Sequence, residues 1–339
     1  MLSLHLISFL SFYNKPFIIF LTGGKYMKTA NTLPFVDYVH AVCSDLKERG
    51  CVRSSETHEA MLRRFLEFSD NPKILMSDLN AKIVEGYEAF LRIQHGVCRN
   101  TSSFYLRILR SVCGKAVKEG ILPTDDFFRN VYTGVDKTTK RAISLSDIER
   151  IRNLDLSHEP AVALARDLFL FSFYMRGMSF IDMAYLTKCN LRDGFVSYVR
   201  RKTGRSICVK WEKEMQEIVD RYADPASPYL LPIITCPEKD VRKQYVYRLR
   251  DVNLKLKQVA RRADLSVKLT TYVARHSWAT AAREMEVPMS MISQGLGHED
   301  EATTRIYLAA LDASKVDQAN AVILSALNKK KGRRKKKNK

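Results

Sequence analysis

No Cys-x-x-Cys pair and no Cys/His cluster at zinc spacing occurs in this 339-residue chain, although it holds seven cysteines, Cys43, Cys51, Cys98, Cys113, Cys189, Cys208 and Cys236. Their scatter excludes a structural zinc module and fits a reduced, cytoplasmic protein. A P-loop and a carboxylate cluster suited to Mg²⁺ are also missing, so neither nucleotide nor metal is the expected source of chemistry. No internal repeat is apparent. The two apolar runs near the start, LSLHLISFLSFY and PFIIFL, are too short to span a bilayer. No basic residue precedes the first run and Asn14-Lys15-Pro16 splits the pair, unlike a signal peptide. Residues 1–26 are therefore expected to be an over-extended start or a disordered leader, with Met27 the true start and an N-terminal anchor the alternative.

The chain does have length and positive charge. It exceeds the size at which one core keeps growing, so two domains are expected, and 46% apolar with 27% charged residues is ordinary for a globular protein. A net charge of +19 points to a polyanion, either nucleic acid or an anionic membrane surface. Nine of the charges sit in KKKGRRKKKNK at 329–339, which reads as a solvated arm making sequence-independent phosphate contacts.

Apolar spacing predicts four helices between Pro34 and Gly120. Phe35, Val39, Val42 and Leu46 mark the first, stopped by Gly50. Leu62, Phe65 and Leu66 mark a second after Ser54-Ser55. Ile83, Tyr87, Phe90 and Leu91 mark a third ending near Gly96, and Tyr105, Ile108, Leu109, Val112 and Ala116 mark a fourth closed by Gly120. Four such helices with short connections make a small bundle. The polar stretch from Gly134 to Arg141 reads as a linker, whose Lys137, Lys140 and Arg141 are placed to follow a DNA backbone or simply to be solvated. Ser146-Asp-Ile-Glu149 has the capping-box form and opens a second domain, with its helix running through Ile151 and Leu154. A long apolar helix follows from about Ala161 to Tyr174. Residues 193–211 then alternate around Lys202-Thr-Gly-Arg205 as a β-hairpin, and helices resume after Gln244 until Leu327.

The late segments TTYVARHSWAT (270–280) and GLGHEDEATTRIYL (295–308) carry the strongest chemical signal. In the second, Gly295 and Gly297 are expected to interrupt a helix, with His298 in the turn and Asp300 capping the helix that carries Tyr307. Arg275, Leu296-Gly297-His298 and the tyrosine after Thr303-Thr304 have the order and spacing of the tyrosine recombinase (phage integrase) signature, which this chain resembles from about Pro34 to Leu327. The resemblance implies a mainly α, multi-domain fold. Its parts would be an N-terminal SAM-like helical bundle at 27–133, a linker at 134–143, an α+β catalytic domain with a small antiparallel sheet at 144–327, and a basic tail at 328–339.

It also implies roles. Tyr307 would be the nucleophile, Arg275 and His298 would hold the phosphate, and Lys202 would protonate the departing 5′ oxygen. A phenol with a pKa of about 10 needs cations around the phosphorane and a proton acceptor, and arginine's planar fork holds two phosphate oxygens where lysine cannot. Strand alternation puts Arg200 on the face of Lys202, and Arg201 and Arg205 add positive charge for DNA.

Two departures from the family pattern stand out. Tyr272 occupies the place of the HxxR histidine, as a hydrogen-bonding substitute or a purely structural residue, and His276 lies about 100° around the helix from Arg275. The first family arginine falls at Ser179, counted back from Asp182 and Leu186; Arg176 is the first candidate to replace it and Arg200 the next.

The implied activity is site-specific recombination through a 3′-phosphotyrosyl bond without cofactor. The partner would be double-stranded DNA carrying recombination sites, bound by a homotetramer at the synapse and by a monomer or weak oligomer when free, in the cytoplasm with the nucleoid and without a membrane. A start at Met27 leaves no room for an arm-site domain, which tilts the expectation toward inversion or resolution of short sites over integration or excision of an element. A type IB topoisomerase and a DNA-binding regulator that lost its chemistry are the alternatives.

Overall fold

The computed structural model describes residues 30–136 and 142–298 together with Asp300 and Thr304. The predicted leader, Lys137, Lys140, Arg141, Tyr307, the final helix and the basic tail lie outside the described residues. The chain divides into two compact units between Thr138 and Thr139, each with its own core.

The first unit contains α1 (Phe35–Glu48), α2 (Val52–Ser69), α3 (Ala81–Ala89) and α4 (Arg99–Lys118). Phe35, Phe65 and Tyr87 lock its centre, with ring centroids 4.8 Å apart for the first pair and 5.2 Å for the second. Helix α2 starts before the serines expected to open it. Ser55 is buried, and its hydroxyl donates to the Cys43 carbonyl of α1 at 3.0 Å, so it joins two helices instead of capping one. After α3 the chain makes a π-helical turn, Phe90–Gln94. The stretch read as linker starts docked on α4: Ser103 donates to the Gly134 carbonyl, and Asn100 exchanges two hydrogen bonds with the Asp136 backbone.

The second unit opens with α5 (Leu145–Arg152). Its capping box is Ser144 with Asp147, two residues upstream of the predicted one. The hydrophobic staple decides between the two frames. With Ser144 as cap, the flanking residues are Ile143 and Ile148, both buried; with Ser146 they would be the exposed Leu145 and the charged Arg150. Helix α6 (Pro160–Tyr174) is apolar nearly all round and lies at the centre, packed against α5, α8 (Lys213–Arg221), α9 (Val241–Arg262) and α10 (Thr271–Glu284). Its one buried charge, Asp167, accepts from Arg166 Nε at 2.8 Å, Tyr222 Oη at 2.7 Å and the Arg221 guanidinium, which fixes the end of α8 to α6.

Between α7 (Phe180–Ala184) and α8 lies an antiparallel sheet of β1 (Leu191–Arg192), β2 (Phe195–Val199) and β3 (Ser206–Lys210), in that order, with Tyr198 opposite Ile207. Val196, Ile207 and Val209 face the core while their neighbours face out, as period-2 alternation requires. Helix α11 (Met289–Leu296) closes the described chain. Gly295 does not interrupt it. A Cβ there would come within 2.9 Å of Trp278 Cη2, so glycine lets α11 sit close on α10. No described helix is long and apolar enough to cross a membrane, and no group of three or more metal-ligating side chains gathers among the described residues.

Candidate active site

Leu296-Gly297-His298 ends α11 so as to collect cations. Gly297 has φ 63°, and a Cβ on it would lie 2.6 Å from Ile207 Cδ1, so both conformation and packing require glycine. The last carbonyls of a helix lack intrahelical donors and carry partial negative charge. Three successive carbonyls here accept from three arginines: Leu296 from Arg275 Nη2 at 2.5 Å, Gly297 from Arg200 Nη1 at 2.8 Å, and His298 from Arg205 Nη1 at 2.5 Å.

Arg275, on α10, is 3% exposed and also donates from Nη1 to the Gly177 carbonyl at 2.9 Å and from Nη2 to His298 Nε2 at 3.0 Å. Gly177 adopts φ 73°, and a Cβ on it would sit 2.6 Å from Arg275 Cα, so the turn after α6 touches α10 backbone to backbone. Burial first, and the Arg200 charge second, push the Arg275 pKa down to about 10, which leaves it charged at neutral pH. Arg200 is 7% exposed. Among the described residues no carboxylate pairs with either guanidinium, and Arg275 Nε is buried without a hydrogen-bond partner. The pocket thus carries an excess of positive charge, with its arginines held by neutral carbonyls and the buried Asp182 carboxylate acting on Arg275 without pairing with it.

His298, 5% exposed, is held on both sides, by Arg275 at Nε2 and by Thr304 Oγ1 at Nδ1, 2.8 Å away. Burial, then Arg275, Arg200 and Lys202, push its pKa down to about 4, so the ring is neutral at physiological pH. Lys202 is exposed in the β2–β3 turn and makes no side-chain hydrogen bond among the described residues, yet its charge reaches His298.

The alternation expected to put Arg200 and Lys202 on one face does not apply, because β2 ends at Val199. The Arg200 carbonyl accepts from both Thr203 and Gly204 N–H, which closes a turn that sends Arg200 inward and Lys202 outward. Arg176, with φ 56°, is half-buried, lies beside Gly295, and makes no side-chain hydrogen bond among the described residues. The charges of Arg275, Arg200 and Arg176 all act on the Tyr198 hydroxyl of β2, whose pKa burial nevertheless raises. Arg201 lies over the Tyr185 ring, 3.8 Å from its centroid. Tyr272 is 51% exposed and meets the His276 ring edge to face at 4.8 Å. Burial raises its pKa, so it stays a protonated phenol at neutral pH.

Sequence reasoning missed three residues of this pocket. Thr304 had been only a marker for the tyrosine after it. Tyr198 looked like any strand aromatic. Asp182 had served to count residues; it is buried, accepts from the Ser179 hydroxyl at 2.6 Å, and accepts the Arg201 backbone N–H at 2.9 Å, tying the lysine-bearing turn to α7. The Ser-x-x-Asp spacing from 179 to 182 was the signal that would have found it.

In the second unit a buried arginine pair converges on a neutral histidine, an arrangement suited to holding an anion such as a phosphate. Comparison with known proteins agrees. Residues 34–132 match the phage integrase SAM-like domain and residues 158–314 the phage integrase family. Tyrosine recombinase XerD of Listeria monocytogenes serotype 4b (strain F2365) is 22% identical over 284 residues, covering 80% of this chain and 92% of the relative. Among solved structures, a lambda integrase tetramer bound to a Holliday junction superposes with a TM-score of 0.59 at 13% identity, covering 84% of this chain and 82% of that one. A post-cleavage complex of XerH recombinase on palindromic difH substrate gives 0.57 at 16% identity, covering 84% and 83%. The chain belongs to the phage integrase family of tyrosine recombinases, the site-specific enzymes that break and rejoin DNA.

Proposed function

We propose that Tyr307 attacks the scissile phosphate, leaving a 3′-phosphotyrosyl bond and a free 5′ hydroxyl that then attacks the partner strand. The supporting observation is the Thr304–His298 hydrogen bond. It holds a residue three positions before Tyr307 against the corner where Arg275, Arg200 and His298 meet. Charge builds on the phosphorane oxygens in this step, and buried guanidinium groups fixed before the substrate arrives stabilise it without reorganisation. Arg275 and Arg200 form the clamp, since both sit inside the pocket and act directly on His298. Arg176 supplies a further guanidinium at its edge. Lys202, exposed and without a side-chain hydrogen bond among the described residues, reaches in to protonate the leaving 5′ oxygen. Tyr272 serves as a hydrogen-bonding group and not as the base.

The substrate in this reading is a pair of short duplex sites, gripped by the bundle at 27–133 and the catalytic domain at 144–327, with Lys137, Lys140, Arg141, Arg201 and Arg205 along the backbone. Four protomers assemble at the synapse, and the relative placement of the two sites sets inversion, excision or integration. Sequencing the DNA around the gene for inverted repeats supplies the candidate sites. A duplex of such a site, nicked to trap the covalent intermediate, should give a protein–DNA adduct with wild type and none with Tyr307→Phe. Equal absence of adduct from both would leave only a DNA-binding regulator.

A further inference from the structure

Arginine has hydrogen-bond donors and no acceptor, so the nitrogen of His298 that faces it must present a lone pair. That nitrogen is Nε2, 3.0 Å from Arg275 Nη2. The ring is buried among cations and neutral, so its single proton is on Nδ1 and is donated to Thr304 Oγ1 at 2.8 Å. This is the wrong tautomer for a residue that is to donate to a phosphate from Nε2. Once a phosphate takes up the Arg275 donors, Nε2 needs a proton and Nδ1 must become the acceptor. A threonine hydroxyl both donates and accepts, and rotation about its Cβ–Oγ bond reverses the role.

We propose that Thr304 is a positioning residue whose hydroxyl switches from acceptor to donor when phosphate binds, so that His298 presents Nε2–H to the phosphate. The inference rests on the reading of the pocket as the scissile-phosphate site. The proton count is balanced: Nδ1 releases one proton to solvent, Nε2 gains one from solvent, and the ring stays neutral. Thr304 is fully buried, so no water replaces the hydroxyl when it is removed. A valine of the same shape removes the hydroxyl that Nδ1 bonds to, whereas serine keeps the switch.

Nitrogen-15 spectra of histidine-labelled full-length protein test the claim without DNA, with inorganic phosphate as the probe. Wild type should show His298 protonated at Nδ1, and at Nε2 on saturation with phosphate. Thr304→Ser should reproduce both states, and Thr304→Val should lose the response. An Nε2–H ring in phosphate-free wild type, or a Thr304→Val response identical to wild type, would overturn the proposal. On a nicked duplex that wild type cleaves, Thr304→Val should form adduct about tenfold more slowly at unchanged DNA affinity, with Thr304→Ser within about threefold of wild type. Equal rates for all three would also overturn it. Failure of wild type to form any Tyr307 adduct would sink the phosphate-site reading instead, while the spectra would still decide the tautomer.

Discussion

The catalytic unit buries charge in two places, and the two are built on opposite plans. Around Asp167 the charges are of opposite sign and both carboxylate oxygens are engaged, by Arg166 on one and by Arg221 and Tyr222 on the other. Around His298 the charges are mostly positive; the arginines rest on carbonyl oxygens at the end of α11 and on Gly177, while the nearby Asp182 carboxylate bonds to Ser179 and the Arg201 backbone and to no guanidinium among the described residues. A closed cluster holds helices together and asks for nothing further. In the open one, helix-end carbonyls partly offset the repulsion, and no carboxylate among the described residues pairs with its guanidinium groups. Cluster geometry thus separates fold-holding charge from charge kept for chemistry.

Mutations that act on one cluster and spare the other can break this contrast. The largest effect is expected from Arg275→Lys, which keeps the charge and loses the fork. Adduct formation should fall about a thousandfold with melting temperature little changed, and a smaller drop than tenfold would place the clamp elsewhere. Asp167→Ala should do the reverse. It leaves Arg166 buried without its partner and should lower unfolding free energy by about 3 kcal/mol in denaturant titrations, with adduct rate per folded molecule preserved.

Acidification reads the open cluster through stability. His298 ionises near pH 6.5 in the unfolded chain and near 4 when folded, so between these values the unfolded state binds the extra proton. Its contribution is therefore complete above pH 6.5 and lost as pH falls toward 4, by at most about 3 kcal/mol. This part of the acid loss should vanish in His298→Gln, as followed by denaturant midpoints across that range. The smallest expected difference lies between Arg200→Ala and Arg176→Ala, the inner residue slowing cleavage about tenfold more than the outer one. The reverse order in single-turnover rates would restore Arg176 as the principal partner of Arg275.

The open cluster was more legible in sequence by residue type than by placement. Arg275, Gly297 and His298 stand in a short motif whose spacing survives any detail of packing. Arg200 keeps the inward face of β2 while Lys202 leaves it, because a strand's alternation stops where its ladder stops and the chain there enters a turn closed by main-chain hydrogen bonds. Helices α1 and α4 followed their apolar spacing, since burial on one face is what such spacing encodes. The cap of α5 did not, because Ser144 and Ser146 both satisfy the local rule and only the burial of Ile143 and Ile148 chooses. Gly295 looked like a helix breaker because its partner, Trp278, is close in space and not in sequence. Thr304 and Asp182 act through contacts across the pocket, which one strand of text does not display.

The Ser179–Asp182 contact also bears on how the lysine-bearing turn is held. Ser179 both caps α7 and donates to the carboxylate steadying the lysine-bearing turn. Arginine at position 179 would remove that cap and the hydroxyl from which Asp182 accepts. The placement of the Lys202 turn is thus coupled to the start of α7, and a change at that helix cap reaches the turn.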